Sequence, residues 1–372
     1  MSFPIPLIET YGEPYEVGHQ IGAAARGSLR ALHAATRAEY GDGWTRLLKL
    51  AAPFLAHTEK RLPQVIEEMR GCAEGAEISF DDLFLMSVEE LLYEEVRGAS
   101  HLREKNKGCT DLAAAPPATL DGHVWLAHNN DLHVSTREHL FVTRFCVQGE
   151  PEILAVTVGG LFISIGLNCT GIALTGNQLT ANDSRSGVPR LLIVRDLLAQ
   201  TTLDAALASA LMPERASSYN NIIASADGRI VNVEGSATQA ALTWSIENSG
   251  TIAHTNHYLA PDMLRFEADA EHVPGSASRC VRAFHYAQKY RGRIGFEVCQ
   301  RFVRDHVYAP WSVCKHVGQS VTVFSALIDV TALQLWLTRG NPCQSEFALY
   351  QFEHAPKITE PESPMLQSLA LL

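Results

Sequence analysis

The spacing of hydrophobic positions along this chain changes once, near residue 108. Before it, Pro14 to Tyr40 carries Val17, Ile21, Leu29 and Leu32 at helical intervals, which predicts helix. Another helix is expected from Ser79, because Ser79-Phe80-Asp81-Asp82 resembles a capping box ahead of Leu83, Phe84, Met86 and Leu91. The first third of the chain is therefore expected to be mostly helical. Arg97 to Lys107 is charged and poor in large apolar residues, and reads as an exposed linker.

Downstream the period falls to two. Val124-Trp125-Leu126-Ala127, Leu140 to Phe145 and Ile153-Leu154-Ala155-Val156 predict strands. Asp227-Gly228, set between Asn221-Ile222-Ile223-Ala224 and Ile230-Val231-Asn232-Val233, signals a hairpin. Amphipathic helices are predicted over Leu191 to Leu198, Leu203 to Leu211, Ser278 to Tyr290 and Gly295 to Val307. Late strands are predicted over Val321 to Val330, Leu333 to Leu337 and Phe347 to Phe352. There is no internal repeat. This order is that of an α+β chain and fits two antiparallel sheets packed face to face between helix layers.

Composition narrows the function classes. At 372 residues and 46% apolar, the chain can bury a large core as one big domain or two. Its net charge of -11 argues against nucleic acid and against anionic membrane surfaces as partners. No segment reaches the roughly 18 apolar residues of a membrane span, and the first residues lack the basic and apolar runs of a secretory signal. Eight cysteines scattered without paired spacing look like reduced cytosolic thiols, so a cytoplasmic location is expected. His254-x-x-His257 lacks the i, i+4 spacing and glutamate of a helical zinc motif and no Cys-x-x-Cys occurs. No metal is expected, at His19, His128 or His316 included.

The chemistry concentrates at Gly108-Cys109-Thr110, followed by His128-Asn129-Asn130-Asp131. Taken alone, such a cysteine is more often a buried small hydrophobe. As a self-cleavage site it has a clear logic. Glycine tolerates backbone conformations closed to other residues, and attack of the Cys109 thiol on the Gly108 carbonyl turns the peptide into a thioester that water can open. The released α-amine titrates at about 7.7 to 8, close to the thiol at about 8.5, so one residue then supplies both nucleophile and base. The same sulfur can take acyl groups from substrates, splitting one hard amide cleavage into two easier steps.

Five segments in order resemble the acyl-coenzyme A:isopenicillin N acyltransferase family of autoproteolytic N-terminal nucleophile hydrolases. They are Gly12-Glu13-Pro14-Tyr15-Glu16-Val17-Gly18-His19-Gln20-Ile21-Gly22, Lys107-Gly108-Cys109-Thr110 with Asn129-Asn130-Asp131, Gly166-Leu167-Asn168-Cys169-Thr170-Gly171 running into Asn177, His254-Thr255-Asn256-His257, and Trp311-Ser312-Val313-Cys314-Lys315. The resemblance implies a four-layer α/β/β/α sandwich with the nucleophile on the first residue of a strand. It divides the chain into a mainly helical segment 1–108 and a segment 109–372, together forming one compact domain, with each cleaved fragment the heterodimer partner of the other.

The resemblance also implies roles. Asp131 holds and orients the Cys109 α-amine. Asn256 donates its side-chain amide to the oxyanion, a contact that can be worth roughly 3 kcal/mol of barrier. Asn177 resembles a second oxyanion or substrate contact, with turn use as the structural alternative. Ser218, or Ser217 if the alignment slips by one, matches a serine that supports self-cleavage. His128, Asn129 and Lys315 are candidate substrate contacts. Departures from the penicillin-forming pattern are Asp111 in place of threonine, His128 in place of glutamine or arginine, Asn130 in place of tryptophan, and Lys315 in place of arginine, which loses a bidentate fork.

The implied activity is hydrolysis or transfer of the acyl group of a small N-acyl or N-aminoacyl amine through an acyl-cysteine. No cofactor is needed, although a coenzyme A thioester could serve as acyl donor. The alternatives are a coenzyme A-dependent N-acyltransferase of the penicillin-forming type and, in another class, an uncleaved inactive binding protein.

Overall fold

The computed structural model describes residues 3–97, 108–318 and 320–352. Most of the expected linker before Gly108 lies outside them. The helical part comprises α1 (Pro14–Ala24), α2 (Arg26–Tyr40), α3 (Trp44–Arg61), α4 (Pro63–Ala76) and α5 (Phe80–Arg97). Residues 14–40 thus form two helices broken at the buried Ala25. At the expected N-terminus of α5, Ser79 Oγ accepts from the Asp82 N–H at 3.1 Å, which satisfies one of the donors that a helix start leaves open.

The strands are β1 (Leu7–Gly12), β2 (Gly108–Ala114), β3 (Trp125–His133), β4 (Leu140–Val147), β5 (Ile153–Val158), β6 (Phe162–Asn168), β7 (Ile172–Asn177), β8 (Tyr219–Ser225), β9 (Ile230–Gly235), β10 (Ala240–Trp244), β11 (Thr251–His254), β12 (Ser320–Asp329), β13 (Gln334–Arg339) and β14 (Ala348–Gln351). Between and after them come α6 (Arg190–Leu198), α7 (Leu203–Ala210), α8 (Val273–Lys289) and α9 (Phe296–Val303). Two sheets result, ordered β1-β4-β5-β6-β7-β8-β9-β10 and β11-β2-β3-β12-β13-β14. The β8–β9 hairpin turns where expected, with Gly228 in the positive-φ region at +99°, as a tight hairpin turn demands. One expectation is corrected: β1 joins β4 in parallel, so the larger sheet is not wholly antiparallel. A strand from the N-terminal segment has no preceding hairpin to fix its direction, and it docks on the free edge of β4 with Ile8 turned into the core.

The layering follows from the alternation of strand side chains. One face of the eight-stranded sheet, with Phe145, Ile153, Ile163, Leu174 and Ile223, packs against α1–α7. Its other face, with Val142, Val156, Ile165 and Leu167, meets Ala113, Leu126, Val323 and Ala326 of the second sheet. The outer face of that sheet, with Leu112, Trp125 and Ala127, is covered by Ala283, Val298 and Phe302 of α8 and α9. This is the α/β/β/α sandwich. The first of these cores draws residues from both sides of position 108. Among the described residues no helix is long and apolar enough to cross a membrane.

Candidate active site

The site grows out of the pairing of β2 with β3. Their register sets Gly108 opposite Asp131, Cys109 opposite Asn130 and Asp111 opposite His128. Because successive side chains alternate between faces, Cys109, Asp111, His128 and Asn130 turn toward the space between the sheets, where Ala113 and Leu126 of the same rows are packed. Thr110, Asn129 and Asp131 turn toward the layer of α8 and α9.

On the α8 side, Asp131 is buried. Its Oδ1 accepts from Thr322 Oγ at 2.7 Å, while Oδ2 has no hydrogen-bond partner. A bulge in β12 between Thr322 and Phe324 puts Thr322 opposite Asp131; such bulges re-aim side chains beside active sites. A Cβ on residue 108 would stand 3.0 Å from the free Oδ2. Any larger residue at 108 would press on the Asp131 side chain, which would have to yield by a few tenths of an ångström; the φ of Gly108 is not in the left-handed region, so the conformational reason expected from sequence does not apply. Burial pushes the Asp131 carboxyl above its usual range, against the pull of Arg279 and of the Thr322 hydrogen bond.

Asn256 closes the site from the turn after β11. Its Oδ1 accepts the Cys109 backbone N–H at 2.8 Å and Arg279 Nη2 at 3.0 Å, and its Nδ2 donates to the Gln178 carbonyl at 3.1 Å. Ser276 Oγ fixes this turn by accepting the Asn256 N–H at 2.8 Å. Arg279, on α8, also donates to the Cys109 carbonyl and to Thr110 Oγ. Sequence reasoning did not find it: a single arginine on an amphipathic helix carries no signal until the helix is docked.

On the inter-sheet side lies a buried polar chain. His128 Nδ1 pairs with Asp111 Oδ1 at 2.9 Å. Asp111 Oδ2 accepts from Asn177 Nδ2 at 2.6 Å, and Asn177 Oδ1 is shared by Asn220 Nδ2 and His254 Nδ1, both at 3.1 Å. His254 Nε2 reaches Glu234 Oε1 at 3.0 Å. The far nitrogen of His128, Nε2, makes no well-formed hydrogen bond and has the Cys109 thiol as its neighbour. Burial alone lowers an imidazole pKa, but Asp111, with help from Cys109, outweighs it and pushes His128 up to about 10.

The structure therefore brings Cys109, Asp131 and Asn256 together, as expected. Asn177 lies in the inter-sheet chain, where it bonds Asp111, Asn220 and His254. His128 and Asn129 are fully buried. Asn129 spends its amide on the Val303 and Val313 carbonyls at 2.8 and 2.9 Å, so its expected substrate contact becomes a structural one. Lys315 is half-buried and donates to Ser320 Oγ at 2.7 Å; burial lowers its pKa, with Asp131 opposing. Ser218 Oγ donates to the Leu179 carbonyl at 2.7 Å, and the buried Ser217 hydroxyl has no partner. No hydrogen bond joins either serine to Gly108 or Cys109 among the described residues. His316, for which no metal role is expected from sequence, converges with His306, Cys314 and Cys343.

The model of the acyl-coenzyme A:6-aminopenicillanic acid acyl-transferase family matches residues 118–344. Among curated proteins, the beta-alanyl-dopamine/carcinine hydrolase of Drosophila melanogaster is 24% identical over 219 residues, covering 54% of this chain and 55% of its own length. The chain thus spans about half the length of that relative. Similar solved structures include penicillin V acylase from Agrobacterium tumefaciens, with a TM-score of 0.46, 14% identity and coverage of 66% of this chain and 86% of that one. The conjugated bile acid hydrolase of Clostridium perfringens is also similar, at 0.44 and 12%, over 66% of this chain and 97% of that one.

Proposed function

Since the chain belongs to the acyl-coenzyme A:6-aminopenicillanic acid acyl-transferase family, we propose that it cleaves itself before Cys109 and then uses this cysteine to hydrolyse the amide bond of a small N-acyl or N-aminoacyl amine. In the first stage Cys109 Sγ bonds to the Gly108 carbonyl carbon, the Gly108–Cys109 C–N bond breaks, and the nitrogen takes the thiol proton. Water then opens the thioester, leaving a Gly108 carboxylate and a free α-amine on Cys109. The observation that carries the reading is the setting of that nitrogen. It already bonds Asn256 Oδ1 at 2.8 Å, and the buried, unpartnered Oδ2 of Asp131, which pairs across the strands with the preceding Gly108, is an acceptor for an ammonium group.

In the second stage Cys109 Sγ attacks the substrate carbonyl and the leaving amine takes a proton from the Cys109 α-ammonium. Water, activated by the α-amine, then releases the acid. The imidazolium of His128, held by Asp111, faces the sulfur from the inter-sheet side and places a positive charge beside it. The Asn256 amide is the side-chain donor for the oxyanion. The substrate class is supported by the relative named as a hydrolase of beta-alanyl-dopamine and carcinine. A second reading, acyl transfer from a coenzyme A thioester to an amine, is favoured by the name of the matching family.

After cleavage the two fragments stay together as a heterodimer, since β1 and α1–α5 share a core and a sheet edge with the rest. Eight free cysteines support a cytoplasmic location. The test is to incubate the native chain and Cys109→Ala with a β-alanyl amine, an N-acyl amino acid, and an acyl-coenzyme A plus an amine, and to follow products by mass spectrometry. Release of the free acid without coenzyme A, by the native chain alone, is expected. Product only from the thioester and amine together contradicts hydrolysis and selects transfer. No product from any pair, under conditions where the native chain is cleaved, contradicts both.

A further inference from the structure

We infer that His306, Cys314, His316 and Cys343 form a tetrahedral site for a zinc ion, separate from the catalytic thiol. The four residues come from three places in the fold: His306 just after α9, Cys314 and His316 on the loop leading into β12, and Cys343 on the turn between β13 and β14. Their donor atoms all lie within 4.8 Å of one another. His306 Nε2 and His316 Nε2 are 3.0 Å apart, Cys314 Sγ and Cys343 Sγ 3.7 Å, and His316 Nε2 lies 3.4 and 3.2 Å from the two sulfurs.

These separations are those of a zinc tetrahedron. With Zn–S near 2.3 Å and Zn–N near 2.0–2.1 Å, the edges come to about 3.8 Å for S···S, about 3.3 Å for N···N and about 3.6 Å for S···N. These four separations fall within a few tenths of an ångström of their edges, and the two from His306 to the sulfurs are no longer than 4.8 Å. A disulfide is the rival use of two such cysteines, yet it needs sulfurs about 2.05 Å apart and gives no reason for two imidazole nitrogens to aim at the same point. Two thiolates and two neutral imidazoles also match the ligand softness that selects zinc over oxygen-seeking cations. The outer shell is in place on the sulfur side. Asn341 Nδ2 donates to Cys314 Sγ at 3.6 Å and to the Lys315 carbonyl at 2.8 Å.

Binding exchanges two S–H bonds for two Zn–S bonds and releases both protons to solvent, so affinity falls with acid. The effect on the fold is local. The ion ties the segment after α9 and the loop before β12 to the β13–β14 turn. That loop carries Lys315 and the Val313 carbonyl that anchors Asn129, both next to the strand bearing Asp131. With three of its ligands exposed, the site can load after folding.

The test is metal content and cobalt spectroscopy on the whole chain. Protein purified under phosphine reductant is incubated with zinc, desalted and assayed for bound metal; a second aliquot is loaded with Co2+ alone. About one zinc per chain is expected, together with the intense visible bands of tetrahedral thiolate-bound cobalt. His306→Ala and Cys343→Ser, both at exposed positions, should lower affinity at least tenfold, and Asn341→Ala roughly tenfold. Cys109→Ala should hold as much zinc as the native chain. No retained zinc and no cobalt bands overturn the site. Equal zinc in His306→Ala and Cys343→Ser also overturns it, because the metal then sits elsewhere. A chain lighter by two hydrogens, with a Cys314–Cys343 bond and no metal uptake after reduction, identifies a redox pair instead.

Discussion

Asp111 and His128 each stand as departures from the penicillin-forming pattern, but across β2 and β3 they face each other at 2.9 Å and form one buried ion pair beside Cys109. The pair has a measurable consequence. In His128→Gln the rate of Cys109 alkylation by iodoacetamide at a fixed neutral pH should fall, with a smaller fall in Asp111→Asn. Unchanged rates in both contradict the role given to the imidazole. Of this site, Cys109, Asp131 and Asn256 were legible because each sits in a family-like segment. The pairing of Asp111 with His128 was not, since residues 115–124 joining the two strands are too long a connection to fix register from sequence. The same limit hid the zinc ligands: their intervals match no local metal motif, and three separate elements must fold before they meet.

At the scale of elements, the segment Gly18-His19-Gln20-Ile21-Gly22 gains a reason that its pattern alone does not give. A Cβ on Gly18 would lie 1.8 Å from the Glu68 carbonyl oxygen and one on Gly22 2.1 Å from that of Cys72. Reciprocally, Gly71 and Gly75 meet the carbonyls of Tyr15 and His19 at 2.0 and 2.2 Å. Helices α1 and α4 therefore cross backbone to backbone, and the four glycines are the contact. Gly27 in α2 faces open space. In urea denaturation, Gly22→Ala should cost roughly 1–3 kcal/mol, whereas Gly27→Ala should stabilise by roughly 0.4–1 kcal/mol. Equal effects would contradict the crossing. Strand and helix types were readable from the change of period. The number of N-terminal helices and the parallel docking of β1 were not, because they depend on which face and edge the rest of the fold leaves free.

At the scale of the whole molecule, the segments before and after residue 108 are bound by more than apolar contact. Arg195 of α6 is buried against Glu68 of α4 at 2.8 Å and Glu150 at 2.7 Å, and an ion pair left half-complete in such a place costs about 3–5 kcal/mol. The fragments should therefore elute together in gel filtration and part only in denaturant; separate native elution contradicts the shared core. Stability should also peak near neutral pH. Burial, with His254 and Arg279, lowers His257 to about 4, so the unfolded chain takes up that proton first and stability falls from about pH 6.5 toward 4. His128, raised to about 10, keeps its proton longer in the folded chain, so its contribution is full below about pH 6.5 and is lost as pH rises toward 10. Thermal midpoints of His257→Gln and His128→Gln should flatten the acid and alkaline limbs respectively; limbs unaltered by these substitutions contradict the assignment. The central claim, an enzyme that makes its own N-terminal nucleophile, is tested most directly by the intact mass of the denatured protein. The account predicts two masses, for residues 1–108 and 109–372, in the native chain and one full-length mass in Cys109→Ala. A single full-length mass for both after prolonged incubation contradicts it.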